Sequence, residues 1–289
     1  MSEIIGSDGT WTFNGEVLRI VPGIGSGVHE LRKTLGELTI PLEAIAGLAF
    51  EPGRKGGHLR LRLRKGADPL SEAVAGGLGA PADPYRLAVP KDRRGAADYM
   101  VDEVRDMLQV YQVPAGPCEH YLLPAPEVPI TASAGDATVT FDGEWVRLVW
   151  TWLAASAKEA AGPQEYRLSD LTGVEWSPLS GVGYGSLRFR VKDGGPDKRP
   201  DKDLRCVSWG IQKFGGTTAL VAAAVLARLD RGPASLEAAP PALAPAEPAA
   251  DHDAVLRRLA ELGELHRAGV LTDEEFAAAK QGMLRRLTD

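Results

Sequence analysis

The segment Trp11-Thr12-Phe13-Asn14-Gly15-Glu16-Val17-Leu18-Arg19-Ile20 occurs a second time in the chain, slightly changed, as Val139-Thr140-Phe141-Asp142-Gly143-Glu144-Trp145-Val146-Arg147-Leu148. The two copies are offset by 128 residues. Asn-Gly and Asp-Gly pairs tolerate positive φ angles at both central positions of a tight turn, and each pair here lies between alternating apolar residues. Each copy of the segment therefore predicts a β-hairpin with a type I′ turn.

Two more blocks repeat in the same order. Residues 41–52 match residues 167–178 at an offset of 126, and residues 57–63 match residues 185–191 at an offset of 128. Self-similarity at a fixed spacing is typical of a duplicated structural unit. The sequence therefore predicts two copies of one domain, with small length differences in the loops.

Each copy is predicted to contain antiparallel strands followed by one helix. Leu59, Leu61 and Leu63 alternate with arginines, which is the period of a strand with one buried face. Further strands are predicted at residues 85–89 and 204–209, and helices at residues 96–110 and 217–229. The predicted fold class is mainly β with capping helices (α+β).

Antiparallel strands closed by a C-terminal helix describe a small, partly open barrel of the pleckstrin-homology (PH) type. Such a helix plugs one end of the barrel and buries apolar surface worth roughly 25 cal/mol per Å². Two lipocalin-like barrels are the alternative, but copies of about 110 residues are short for that fold, and it leaves the helix unexplained. We therefore expect two PH-like partly open barrels in tandem plus a C-terminal helical hairpin.

The C-terminal part of the chain has a different composition. Residues 233–250 contain five prolines and eight alanines, which predicts an extended tether without a core. Residues 251–289 predict a helical hairpin, in which Gly269 ends the first helix and Thr272 to Glu275 form a capping box that begins the second. A hairpin of this length buries too little surface to be stable alone, so we expect it to pair with copies of itself or with a partner.

The candidate oligomerisation residues are the apolar side chains that line the two helices of this hairpin: Leu256, Leu259, Leu262, Leu265, Phe276, Met283, Leu284 and Leu287.

The predicted organisation has five parts. Residues 1–115 form the first PH-like repeat, residues 116–127 the linker between repeats, residues 128–232 the second repeat, residues 233–250 the Pro/Ala-rich linker and residues 251–289 the hairpin.

The hairpin closely resembles the bacterial short C-terminal domain (SHOCT). The resemblance rests on the Leu-x-x-Leu spacing at Leu256 and Leu259, on Ala268-Gly269-Val270-Leu271-Thr272-Asp273-Glu274-Glu275-Phe276, and on Lys280. Members of that family are usually found at the end of other domains. The resemblance therefore implies oligomerisation or partner contact as the role of this segment.

The duplicated region looks like the domain of unknown function 4429, which is common in actinobacteria and often occurs as two copies before such a tail. The resemblance rests on residues 13–16, 40–48 and 57–61 with their second-copy counterparts, and it spans about residue 3 to about residue 229. The second copy departs from the pattern at Arg167, where the first has Pro41. The resemblance implies a PH-like fold and brings no catalytic residue with it.

Composition narrows the class of protein. The 289 residues carry a formal net charge of −6, which disfavours nucleic acid as a partner. Two cysteines, Cys118 and Cys206, cannot form a disulfide framework and favour a cytoplasmic location. The longest apolar run, residues 219–227, is too short for a membrane span, and the Met1-Ser2-Glu3 start lacks a secretory pattern.

No catalytic, metal or cofactor site is expected. Gly23-Ile24-Gly25-Ser26-Gly27 lacks the spacing of a phosphate-binding loop and is interpreted as a flexible strand connection. Cys118 and His120 are only two of the four ligands that a structural zinc needs. Cys206 is interpreted as a small thiol in the core. We therefore expect a protein without enzymatic activity.

Basic strand faces are the remaining candidate site. The residues proposed to bind a partner or lipid are Arg60, Arg62, Arg64 and Lys65 in the first copy and Arg188, Arg190 and Lys192 in the second. Such faces suit anionic lipid head groups or an acidic protein segment. The alternative is a solvated face balanced by neighbouring acids, because residues 1–115 carry 14 basic and 15 acidic side chains.

These patterns favour a non-enzymatic cytosolic scaffold or adaptor, with PH-like modules that bind protein partners and a hairpin that mediates oligomerisation or docking. A peripheral membrane adaptor that binds anionic lipid through the basic strand faces is the alternative. A small-molecule sensor that uses a barrel mouth is a third possibility. Nucleic acid is not an expected partner.

Overall fold

The computed structural model describes residues 1–179, 183–192, 194–210 and 215–229. All of these residues belong to one structural unit, Met1–Pro233. The predicted linker at residues 233–250, the predicted hairpin at residues 251–289 and all eight candidate oligomerisation residues lie outside the described residues.

Seven antiparallel strands form two sheets in the first repeat. The four-stranded sheet has the order β1-β2-β3-β4, with strands at Ser2–Ile5, Gly9–Phe13, Val17–Pro22 and Leu38–Pro41. The three-stranded sheet has the order β5-β6-β7, with strands at Ile45–Gly53, Gly56–Leu63 and Arg86–Pro90. The strand predicted at residues 85–89 is thus present, one residue later.

The second repeat has the same two sheets. Its four-stranded sheet contains β8 (Ile130–Ala134), β9 (Ala137–Phe141), β10 (Trp145–Trp150) and β11 (Gln164–Arg167) in that order. Its three-stranded sheet contains β12 (Leu171–Ser177), β13 (Gly185–Val191) and β14 (Cys206–Trp209). The duplication inferred from the sequence is therefore repeated strand by strand.

The described residues also contain five α-helices: α1 (Glu30–Leu35), α2 (Pro69–Val74), α3 (Arg94–Val110), α4 (Ser156–Ala161) and α5 (Thr218–Leu229). Helices α3 and α5 are the predicted C-terminal helices. The other three have six residues each, too short to show a helical period in the sequence. Within the described residues, each repeat has two sheets that do not join into a closed barrel. The fold is mainly β with capping helices, as predicted.

The hairpins formed by β2 with β3 and by β9 with β10 do not have the predicted turn type. Gly15 and Gly143 have φ angles of 102° and 106°, but neither Asn14 nor Asp142 has a positive φ, so the type I′ prediction is wrong. The side chains close these turns instead. Asn14 Oδ1 accepts hydrogen bonds of 3.0 and 2.8 Å from two following backbone N–H groups, and Asp142 Oδ1 accepts bonds of 2.9 and 2.7 Å. These bonds lower the pKa of Asp142 to about 2.

The first repeat contributes residues to the hydrophobic core of the second. Helix α2 belongs to the first repeat by sequence, but it packs against α5 and β12 of the second, and Leu70, Ala73 and Val74 are buried in the second repeat's core cluster. A side chain at Gly77 would come within 3.1 Å of Trp176. The first repeat has its own core between its two sheets and α3.

This packing explains the composition of α5. Its residues from Thr218 to Val225 are all buried, because its own sheets cover one side and α2 covers another. A helix that is buried all round has no need of a polar face. The apolar run at residues 219–227 is therefore a core helix. Among the described residues, no helix has the length and hydropathy needed to span a bilayer.

Candidate anion-binding face

The outward side of the β5-β6-β7 sheet carries three arginines. Arg60 and Arg62 are exposed and alternate along β6 with the buried Leu59 and Leu61. Arg86 on β7 lies directly opposite Arg60 in the antiparallel ladder, and directly opposite residues share one side of a sheet. We call the surface formed by Arg60, Arg62 and Arg86 the arginine face.

Small residues surround these side chains. On β5, Ala49 lies opposite Arg60 and Gly47 lies opposite Arg62. On β7, Ala88 is the next residue on the same side after Arg86. The arginine face is therefore a flat surface on which an extended ligand could reach the guanidinium groups.

Only part of the positive charge on this face is neutralised. Arg60 Nη1 lies 3.2 Å from Glu51 Oε1, and both side chains are about half exposed. The side chains of Arg62 and Arg86 make no hydrogen bond or ion pair with any described residue, and Arg86 Nε is buried without an acceptor. Burial raises the pKa of the nearby Asp83, and the charges of Arg60 and Arg86 oppose that rise. Two of the three guanidinium groups thus make no hydrogen bond or ion pair within the described residues, and Asp83 interacts with Arg86 only electrostatically.

The equivalent side of the second repeat is neutralised by its own chain. Arg188 Nη1 lies 2.9 Å from Asp197 and 3.4 Å from Asp203, and the Arg188 side chain is only 10% exposed. Arg190 forms a two-pronged pair with Glu175 at 2.9 and 2.7 Å and a second pair with Asp197. These pairs raise the pKa of Arg190 and lower that of Asp197.

The two repeats differ because the chain between the last two strands takes different routes. In the second repeat, residues 194–203 lie over the arginines of the sheet. In the first repeat, the corresponding connection contains α2, which packs on the second repeat instead. The exposed fraction of the Arg60 side chain is accordingly 54%. Duplication alone does not indicate this asymmetry.

Arg64 and Lys192 have structural surroundings. Arg64 follows the end of β6 and donates to the backbone carbonyls of Glu43 and Gly116, both at 2.8 Å, and of Pro117 at 3.2 Å. Lys192 Nζ donates to the Ser169 carbonyl at 2.7 Å. Both side chains therefore hold the turn before the three-stranded sheet of their own repeat. Neighbouring Lys65 is exposed.

Sequence reasoning missed an ion pair with a buried basic partner that occurs once in each repeat. In the first, Arg32 Nη1 of α1 lies 2.6 Å from Asp8 Oδ2, and Asp8 Oδ1 accepts from Ala88 N at 2.9 Å. In the second, Lys158 Nζ of α4 lies 2.6 Å from Asp136 Oδ2. Each pair joins the turn between the first two strands of its repeat to a short helix.

A signal for this pair was present in the aligned copies. Asp8 and Asp136 are offset by the same 128 residues as the hairpins, immediately before the repeated segment. Arg86 could also have been found, because it is the charged residue within the strand predicted at residues 85–89. Its position opposite Arg60 depends on strand register, which the sequence does not specify.

The described residues offer little for redox or metal chemistry. Cys206 is fully buried, as predicted, and burial raises the pKa of its thiol to about 11. Cys118, like Cys206, forms no disulfide. Within the described ranges, no three His, Cys, Asp or Glu side chains come together as metal ligands.

One connection exposes apolar side chains at the same place in both repeats. Ile24, in the glycine-rich loop between β3 and α1, is 97% exposed, so this segment is a strand connection as predicted. Trp152, in the loop between β10 and α4, is 90% exposed and follows Ile24 by 128 residues. Leu153 beside it is about half exposed.

Comparison with known families gives two matches. The model of the family described as domain of unknown function (DUF4429) matches residues 11–105 and 139–226. The model of the Short C-terminal domain matches residues 257–284. Both resemblances inferred from the sequence are thereby confirmed. Among curated proteins, none matches the chain.

Proposed function

This chain belongs to the DUF4429 family and contains a Short C-terminal domain, and from that premise we propose that it is a non-catalytic cytoplasmic adaptor. Its repeats are PH-like modules, the first of which binds an anionic protein partner through the arginine face. Its C-terminal hairpin joins copies of the chain or docks onto a partner. The observation that carries this proposal is that the guanidinium groups of Arg62 and Arg86 make no hydrogen bond or ion pair within the described residues, whereas the second repeat neutralises the equivalent face internally.

The proposal rests on the face rather than on the fold, since one fold serves many functions. An arginine on a sheet surface ordinarily gains an acidic neighbour, as Arg190 gains Glu175. At the position that corresponds to Glu175, the first repeat has Ala49. A guanidinium is well suited to two-pronged recognition of a carboxylate, so an open arginine face favours an acidic partner.

Self-association through the hairpin would strengthen such contacts. One sheet face offers a few charged hydrogen bonds at a solvent-exposed site, which supports only weak binding. Several copies joined at their C-termini present several arginine faces at a high effective concentration. A multivalent partner would then be held far more tightly than a single face could hold it.

We expect the chain to be an oligomer in solution and to become a monomer when residues 251–289 are removed. The apolar stripes of the hairpin drive the association, because a segment of this size needs a second copy to cover them. Light scattering coupled to size exclusion measures the mass of both proteins.

The matched control separates the stripes from the rest of the hairpin. Leu259→Ala with Leu262→Ala should lower the mass, whereas Glu261→Ala with Glu264→Ala should leave it unchanged. A full-length chain that stays monomeric at high micromolar concentration would rule out assembly through the hairpin.

A peripheral membrane adaptor is the second candidate function, and the exposed loop residues favour it. Ile24 and Trp152 occupy equivalent loops, and tryptophan is enriched where proteins meet the polar edge of a bilayer. The arginine face would add attraction to anionic lipid.

Vesicle sedimentation tests this candidate. Vesicles that contain phosphatidylserine should sediment the protein at low salt and release it at high salt, because screening weakens charge attraction. Binding should fall in Trp152→Ala and in Arg60→Glu with Arg62→Glu. Arg93→Glu with Arg105→Glu makes the same charge change elsewhere on the first repeat and should bind normally. Failure to sediment at low salt eliminates the candidate.

A further inference from the structure

The second repeat already shows a peptide segment bound to a basic sheet face. Residues 194–203, Gly-Gly-Pro-Asp-Lys-Arg-Pro-Asp-Lys-Asp, lie over β13 and β14, and we call them the covering segment. None of these residues is part of a helix or strand. Cys206 shares its side of the sheet with Arg188 and is fully buried.

Both carboxylates and backbone carbonyls of the covering segment accept from arginines. Asp197 pairs with Arg188 at 2.9 Å and also with Arg190. Arg188 Nη2 donates to the Lys198 carbonyl at 2.9 Å, and Arg205 Nη2 donates to the Pro196 carbonyl at 3.3 Å. The arginines therefore recognise the main chain of an irregular segment as well as its negative charges.

The first repeat has equivalent arginines, but no described segment of its chain forms ion pairs across them. Asp83, which precedes β7 as Asp203 precedes β14, interacts electrostatically with Arg60 and Arg86 without an ion-pair contact. Arg60 and Arg62 correspond to Arg188 and Arg190 at the 128-residue offset, and Arg86 stands in the position of Cys206 opposite Arg60. The chain that could have covered them forms α2 and packs on the second repeat. Arg86 Nε consequently remains buried without an acceptor, and leaving such a donor unpaired costs free energy that a ligand can recover.

We propose that the arginine face binds, from another protein, an irregular acidic segment of the kind that the second repeat binds from its own chain. Carboxylates of the segment pair with Arg60 and Arg62, and a backbone carbonyl or a further carboxylate accepts from Arg86. This inference rests on the proposed adaptor function and names the chemistry of its partner. Contact with main-chain carbonyls favours a protein segment over a lipid surface.

Length and charge of the ligand follow from the covering segment. Ten residues suffice to place two aspartates and two carbonyls over the sheet. The covering segment is part of the chain, so it loses little freedom on binding and can include three basic residues. A free ligand has a larger entropy cost to offset. A partner segment is therefore expected to carry more acidic than basic residues.

A labelled peptide tests the inference on the full-length protein. The probe is the sequence of residues 194–203 with Lys198→Ser, Arg199→Ser and Lys202→Ser, and the control probe also has Asp197→Asn, Asp201→Asn and Asp203→Asn. Fluorescence anisotropy should show saturable binding of the first probe, about tenfold or more weaker binding of the control, and weakening by salt.

Protein variants locate the site. Arg62→Gln and Arg86→Gln remove guanidinium groups that form no ion pair, so each should bind the probe about tenfold more weakly without a fall in the thermal unfolding midpoint. Arg190→Gln, which alters the equivalent face of the second repeat, should bind normally.

The outcomes separate this inference from the wider proposal. Absence of probe binding at low salt, or equal loss in Arg190→Gln, would overturn the inference. A protein that binds phosphatidylserine vesicles but not the peptide probe would also overturn the inference. That result would still support the membrane adaptor. Probe binding by a monomeric chain would support the arginine face and contradict only assembly through the hairpin.

Discussion

Replacing Lys158 by methionine is expected to lower the free energy of unfolding by about 3–5 kcal/mol, because it breaks a buried ion pair from one side. The Lys158 ammonium is fully buried and donates to Asp136 at 2.6 Å and to the carbonyls of Pro200 and Cys206 at 2.7 and 2.6 Å. Without it, the Asp136 carboxylate keeps only the backbone N–H and hydroxyl of Ser208 as donors.

Urea unfolding followed by tryptophan fluorescence measures this effect. Lys33→Met removes an exposed lysine from α1 and should change the free energy of unfolding by no more than about 0.5 kcal/mol. The double variant Lys158→Met with Asp136→Asn should recover part of the loss, since neither partner is then left charged and alone. A cost below about 1 kcal/mol for Lys158→Met would contradict a buried, water-free pair.

Replacing Leu70 by alanine is expected to destabilise the second repeat by about 2–5 kcal/mol, although Leu70 belongs to the first repeat by sequence. Leu70 is 2% exposed and lies in the second repeat's core cluster, on a helix that packs against α5. Truncation leaves a cavity between the two repeats. Because the cavity borders α5, the sheets that α5 covers lose packing as well.

Tryptophan fluorescence again reports the result, because five of the six tryptophans lie in the second repeat. Ile24→Ala removes a similar side chain from an exposed loop of the first repeat and should leave the unfolding midpoint in place. Leu70→Val gives a milder test should Leu70→Ala fail to fold. An unchanged midpoint for the second-repeat tryptophans would mean that the repeats unfold independently.

The repeated segments carried most of the fold prediction. Residues 11–20 and 139–148 predicted two hairpins, and the helices at residues 94–110 and 218–229 begin within two residues of their predicted positions. These features are local, since alternation along a strand and apolar spacing along a helix are visible in one short window. The turn type was wrong because side-chain oxygens of Asn14 and Asp142, rather than two positive φ angles, close the turns.

The packing of α2 and the different exposure of the two basic sheet faces depend on long-range contacts, which could not be predicted from the sequence. Nothing near Leu70 in the sequence indicates that α2 crosses to the second repeat, although Asp68 and Pro69 are good helix-start residues. Arg60 and Arg188 occupy equivalent positions, and their strand patterns are alike. They differ because separate loop routes leave one exposed and place Asp197 on the other.

The different routes of this connection suggest different roles for the two repeats. One copy satisfies its basic sheet face internally and stays closed, while the other copy uses the same connection to hold the two repeats together. Helix α2 packs against the second repeat and therefore does not cover the arginine face. On the proposed function, the course of this one connection accounts both for the contact between the repeats and for the exposure of the arginine face.

Side-chain nitrogen resonances of the arginines test that claim most directly. In the full-length chain, each Nε–Hε signal is assigned by a single Arg→Lys substitution and followed while the acidic probe peptide is added. The account predicts that the signals of Arg60, Arg62 and Arg86 move with the peptide, whereas those of Arg188, Arg190 and Arg205 stay in place. Movement of the second set, or no movement of the first, would contradict it.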